Sequence, residues 1–414
     1  MKKVLMVAYH FPPLAGSSGI QRTLRFAQQL PEFGWEPIVL TAHPRAYERT
    51  SDDLLDEVPA RLTVKRAFAL DTARQLAIGG RYLGWLARPD RWMTWRFAAV
   101  GAGLSLVREH APHAIWSTYP IATAHVIGRA LARKTQLPWI ADFRDPMAQD
   151  GYPADPATWK SFKDIEREAI ADARLATFTT PGAAREYRRR YPASAERIRV
   201  LENGFDEESF AGLPRVSATE PLTPGAVTLL HSGIVYPSER DPTQFFVAVR
   251  AMADAGDIRA GEVVVRFRAA GHDDLLRTLA QRHGIERFIE LLPPLPYRAA
   301  LNEMLRADAL LVLQASNCNE QIPAKLYEYL RAGRPLVALT DPIGDTAEVV
   351  RAAGIDAVAR LDSVDDTVAL LRRLIPAIRA GTAPLPNADY VASASRRGRS
   401  RELAALLEAA VLRR

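Results

Sequence analysis

The 414-residue sequence holds a single cysteine, Cys318. That excludes an internal disulfide and any cysteine-built zinc site, and it suits a reducing cytoplasm. There is no apolar run near the roughly 20 residues that a membrane span needs. The opening stretch Met1-Lys-Lys-Val-Leu-Met-Val-Ala-Tyr9 is too short in its apolar part for a signal peptide and reads as a first strand. His231, His272 and His283 are scattered without ligand spacing, as packing or surface histidines would be. The dinucleotide pattern G-x-G-x-x-G is missing, and the second strand, Ile38–Thr41, runs into Ala42 and His43 rather than an acid. A net charge of +6 is modest for this length; it allows attraction to anionic lipids or nucleotides without arguing for nucleic acid.

What is present is an ordinary globular balance, 48% hydrophobic and 25% charged, in a chain long enough for two domains. Short apolar runs alternate with helical patterns, first from Val4 and again from Val227. This predicts an α/β protein of two Rossmann-like, doubly wound domains. The expected divisions are 1–206, a Pro- and Gly-containing linker at 207–225, a second domain at 226–390, and a C-terminal helix at 391–414 returning to the first domain.

The first strand opens into a loop containing Gly16, Ser17, Ser18 and Gly19, with a helix from about Ile20 to Leu30. Such a loop can bring backbone N–H groups to a phosphate, or be a simple tight turn. The expected strand Pro138–Ala141 ends in Asp142-Phe-Arg144-Asp145. Strand C-termini face the ligand crevice in doubly wound sheets, so Asp142 and Asp145 are candidates to orient a hydroxyl; Asp142 and Arg144 could equally form a structural ion pair. Between Arg81 and Phe97 aromatics interleave with arginines, which fits either a membrane interface or a helical hairpin with Trp95 in the core.

The densest signal is Glu320-Gln-Ile-Pro-Ala-Lys325-Leu-Tyr-Glu328-Tyr-Leu-Arg-Ala-Gly333-Arg-Pro335, set between the apolar runs Ala309–Leu313 and Leu336–Leu339. Pro323 and Gly333 mark the ends of a helix. Lys325 and Glu328 share one face of it, and a lysine in the first turn opposes the helix dipole unless an anion sits there as well.

Glu320 and Glu328 bracket seven residues, with Lys325 between them. This resembles the E-x7-E element of family 4 retaining glycosyltransferases, which have the GT-B fold. The resemblance implies two Rossmann-like domains facing each other across a cleft, with Glu320 beside the donor sugar and Glu328 on the nucleotide ribose. It places Gly233 and Arg240, after the first strand of the second domain, with Lys325 at the donor diphosphate. Ile234 stands where the family often has a second basic residue. The run Phe288–Tyr297 corresponds to the segment holding the base. In the first domain, Gly16, Ser17, Ser18 and Gly19 correspond to the loop reaching toward donor phosphate or acceptor. Arg22 matches the family's arginine there, and Arg144 stands where many members have a histidine; with Asp142 and Asp145 these form the acceptor side.

The implied activity is retaining transfer of a sugar from a nucleotide-diphosphate sugar to a hydroxyl of a glycan or lipid-linked acceptor, in cell-surface polysaccharide assembly. The alternatives are a GT-B nucleotide-sugar epimerase and a non-catalytic sugar-nucleotide-binding protein. No cofactor is expected, and no metal, since the chain has no Asp-x-Asp triplet and Arg240 and Lys325 can neutralise the departing diphosphate. The implied location is cytoplasmic and peripheral, at the inner face of a membrane.

Overall fold

The computed structural model describes residues 1–17, 19–214 and 220–412; Ser18 lies outside them. The chain packs as two units, Met1–Asn203 together with the residues from Arg396 onward, and Gly204–Ser395.

The first unit is built on seven parallel strands: β1 (Lys2–Val7), β2 (Trp35–Ala42), β3 (Thr63–Ala67), β4 (Ala114–Thr118), β5 (Trp139–Arg144), β6 (Leu175–Phe178) and β7 (Ile198–Val200). Their order in the sheet is β3-β2-β1-β4-β5-β6-β7. Val4 to Val7 are all fully buried, because helices cover both faces and every side chain of a central strand meets one. Alternation sorts them into two cores. Leu5 and Val7 join Leu40, Trp95 and Trp139, while Val4 and Met6 join Leu24, Phe26 and Trp116. The C-terminal helix Arg396–Leu412 completes the second core with Leu403, Leu407 and Ala410, spaced to lie on one face.

The second unit has six parallel strands: β8 (Val227–Ser232), β9 (Val263–Arg268), β10 (Ile289–Leu292), β11 (Ala309–Leu313), β12 (Leu336–Leu339) and β13 (Val358–Ala359). Their order is β10-β9-β8-β11-β12-β13, the same winding as in the first unit. In each sheet the order reverses beside the first strand, between β1 and β4 and between β8 and β11. At such a switch point neighbouring connections leave toward opposite faces and open a crevice beyond the strand ends.

Three placements bear on the expectations. Residues 207–225, read as linker, include the short helix Glu207–Phe210, and Phe210 is buried in the core of the second unit. β5 continues past Ala141 to Arg144, with a register shift against β6 between Asp142 and Arg144. The aromatic segment divides: Trp95 is fully buried and starts the helix Trp95–His110, whereas Tyr82, Leu83, Trp85 and Phe97 are exposed. Trp92 is held inside by its indole N–H, which donates to Ala46 O at 3.1 Å, and by packing on Tyr9.

Candidate functional site

The second unit brings together residues from the loops after β8 and β11, at its switch point. Gly233 follows β8 with φ of 110°, a left-handed conformation that glycine adopts without strain. Lys325 opens the helix Lys325–Ala332, and its ammonium lies so near that a Cβ on Gly233 would sit 2.9 Å from Nζ. Any side chain there would displace the lysine. His231, inside β8, faces Leu311 O with Nδ1 at 2.9 Å and Lys325 Nζ with Nε2 at 3.1 Å. The carbonyl can only accept, so Nδ1 carries the proton and Nε2 accepts from the lysine.

The loop carrying Arg240 is tied to the loop after β11. Ala315 N donates to Glu239 O at 2.7 Å, and Asn317 Nδ2 donates to Ser238 O at 2.9 Å. The guanidinium of Arg240 donates to Ile234 O at 2.5 Å and lies over the Tyr236 ring. Burial and then the Arg240 charge pull Lys325 down to about 7, against the opposing effect of Glu328. Burial and the Lys325 charge hold His231 well below its ordinary range, so it stays neutral. Two cations in one desolvated place are mutually unfavourable, and an anion between them removes the cost.

Glu328, one turn along the same helix, accepts from Tyr297 Oη at 2.7 Å. Glu320 lies exposed in the turn before the helix. The buried Gln314 shapes that turn by donating from Nε2 to Cys318 O at 2.8 Å and Gln321 O at 2.9 Å. A cavity of about 740 Å3, lined by Ile234, Ala269, Gly271, Leu292 and Pro293, opens where the base-holding run was expected.

In the first unit the expected acceptor residues separate into two groups. Arg22 and Asp142 form a bidentate pair at 3.0 Å on both arms, and both are buried. Arg22 also donates to Glu202 O and Leu201 O, and Asp142 accepts from Thr118 and Thr177. Burial alone would raise the Asp142 pKa; the Arg22 charge and these hydrogen bonds outweigh it and hold the carboxyl low. Both side chains are thus engaged with each other and with neighbouring protein groups. The ion pair weighed for Asp142 is made with Arg22, not Arg144.

Arg144 and Asp145 lie at the mouth of the same switch point. Asp145 is exposed, and Arg144 has φ of 62° and donates from Nη1 to Tyr119 O at 3.3 Å. His10, after β1, was not picked out by sequence. It sits beside Gly19, bonds Ser17 Oγ at 3.1 Å, and is held near 4 by burial and the Arg144 charge. Gly16 has φ of 81° in the same loop. Gln314 is not picked out by sequence either, and His231 reads there as a packing or surface histidine because its partners Leu311 and Lys325 are 80 and 94 residues away in sequence.

The whole chain has the GT-B fold. Anabaena HepE, solved with UDP and glucose, is 15% identical over 99% of this chain and 100% of its own, with a TM-score of 0.64. Sucrose-phosphate synthase from Thermosynechococcus elongatus is 12% identical over 100% and 97%, with a TM-score of 0.57. A Listeria monocytogenes protein provisionally assigned as a UDP-N-acetylglucosamine 2-epimerase is 12% identical over 97% and 95%, with a TM-score of 0.54. No curated protein matches the sequence. Residues 18–204 match the family described as a glycosyl transferase 4-like domain.

Proposed function

We propose that the protein is a retaining glycosyltransferase that takes a nucleotide-diphosphate sugar in the second unit and transfers the sugar to a hydroxyl of a glycan or lipid-linked acceptor held by the first, in cell-surface polysaccharide assembly. The observation that carries this reading is the juxtaposition of Lys325, Gly233 and Arg240 at the switch point of the second unit, with Glu328 one helical turn away. The N–H groups of the helix start, the ammonium and the guanidinium offer a diphosphate both charge and hydrogen bonds. The cavity beside Leu292 and Pro293 has room for a base, and in this reading Glu328 accepts from ribose hydroxyls. Glu320 positions the sugar's hydroxyls from its exposed turn.

In this reading the diphosphate leaves into a site whose positive charge is already in place, so little reorganisation accompanies bond breaking. The departing phosphate oxygen takes the acceptor proton on the face it leaves, which retains configuration. Arg240 and Lys325 supply the neutralisation that a metal provides in other transferases, so chelators should leave activity intact. On the first unit, Gly16, Ser17 and Gly19 approach phosphate, and Arg144 and Asp145 meet the acceptor. Tyr82, Leu83, Trp85 and Phe97 suit docking on an anionic inner membrane face. Residues 72–108 contain six arginines against one acid, Asp90, and among the described residues no helix is long and apolar enough to cross a membrane.

A screen of UDP-, GDP- and dTDP-sugars by thermal shift, followed by incubation with glycan and lipid-linked acceptors, tests the reading. A transferase yields an acceptor-linked sugar and free nucleoside diphosphate. An epimerase returns an altered nucleotide sugar with no acceptor, and a binding protein gives a shift without product.

A further inference from the structure

We propose that the switch point of the first unit is an oxyanion site built around Arg144, and that the acceptor carries the phosphate- or carboxylate-type group that fills it. This rests on the reading of the first unit as the acceptor side.

The two arginines of this region are treated differently by the fold. Arg22 is matched arm for arm by Asp142 at 3.0 Å. Arg144 has no ion-pair partner among the described residues. Its one hydrogen bond is the 3.3 Å contact from Nη1 to Tyr119 O, and its buried Nε has no partner. A guanidinium offers five N–H donors in a rigid fork, so most of this one is left for something else. Asp145 lies close enough to act on Arg144 through space, but its carboxylate is exposed and accepts from Thr179 Oγ1 at 3.4 Å.

Arg144 is also pressed against the wrong end of a helix for a cation. A Cβ on Gly19 would lie 2.7 Å from Arg144 Nη1 and 2.5 Å from His10 Nδ1, so the missing side chain lets both approach the first turn of the helix Gly19–Gln29. That turn contains no acid, and its dipole end repels positive charge. Arg22 repels Arg144 through space, with Asp145 and Asp142 acting in the opposite direction. One oxyanion reverses all three penalties. It pairs with the fork, occupies Nε, and receives N–H groups of the helix start. His10, neutral because of burial and the Arg144 charge, adds hydrogen bonding without charge of its own.

The anion could come from the acceptor or from the donor's own diphosphate, and inorganic phosphate separates the two. The full chain is titrated with phosphate by calorimetry as wild type, as Arg240→Met/Lys325→Met, and as that double variant with Arg144→Met added. Phosphate binding that survives the double variant and weakens at least tenfold with Arg144→Met supports a separate site in the first unit. Binding abolished by the double variant alone, or unaffected by Arg144→Met, overturns it. Should Arg144→Met melt as a poorly folded chain, Arg144→Lys carries the same comparison: it keeps the charge without the fork, and an unchanged affinity counts against the site. Titration of the wild type with UDP, GDP and dTDP reports the second unit independently, so absence of binding by all three refutes the donor reading while leaving the phosphate comparison decisive.

Discussion

Lys325 Nζ lies 3.1 Å from Nε2 of His231, whose other ring nitrogen is committed to the carbonyl of Leu311. The histidine therefore presents a lone pair to the ammonium and holds it over Gly233. Lys325 is pulled from 10.5 to about 7 by burial and by Arg240. The unfolded chain keeps that proton up to the ordinary lysine range, so between these limits it binds more protons than the folded one. Unliganded stability therefore rises with pH across that window.

UDP binding should follow the opposite course. The ammonium is needed for the diphosphate, so affinity falls as pH rises from about 7.5 to about 9.5, with proton uptake on binding. Calorimetry in buffers of different ionisation enthalpy measures this. Lys325→Met should bind weakly with a flat profile, and an unaltered slope in that variant would remove Lys325 from the site.

Gly233→Ala tests the close approach. The left-handed φ and the 2.9 Å contact with Nζ mean that alanine both strains the backbone and displaces the lysine. A loss of about 1 kcal/mol in stability is expected from the backbone alone. UDP affinity should drop by about tenfold or more through the lost charge contact. Urea unfolding and UDP titration read the two effects separately.

Arg22→Met leaves Asp142 buried without its counter-charge. Removing one partner of such a pair costs about 3–5 kcal/mol, so a large fall in the urea midpoint is expected. A change below about 1 kcal/mol would show that the pair is not what holds β5 to the helix Gly19–Gln29.

Membrane docking predicts that Leu83→Ser/Trp85→Ser reduces co-sedimentation with anionic vesicles by about tenfold or more, through lost apolar burial. Neutral vesicles should bind the wild type weakly. Trp92 is a poor probe, because its indole anchors to Ala46 and its loss would disturb the core. Equal recovery of wild type and the double variant argues against docking through this segment.

The strands were readable because central parallel strands bury both faces, so Val4–Val7 and Ala309–Leu313 stand out as unbroken apolar runs. Arg240 and Lys325 could be paired from sequence only through the resemblance to family 4, which implies a basic residue at each position. What sequence hid is the matching of charges. Arg22 and Asp142 are 120 residues apart, and nothing local says that they consume each other while Arg144 is left over. Likewise the family match falls on residues 18–204, whereas the densest motif lies in the other unit, so the two signals reinforce rather than repeat each other.

A double-mutant cycle on Arg240 and Lys325, comparing UDP with uridine, is the most direct measurement. The expected result is a loss of about tenfold or more in UDP affinity for Arg240→Met and for Lys325→Met, a combined loss smaller than their product, and uridine binding unchanged throughout. UDP affinity equal to that of uridine in the wild type, or untouched by both substitutions, would contradict a diphosphate seat at these two side chains.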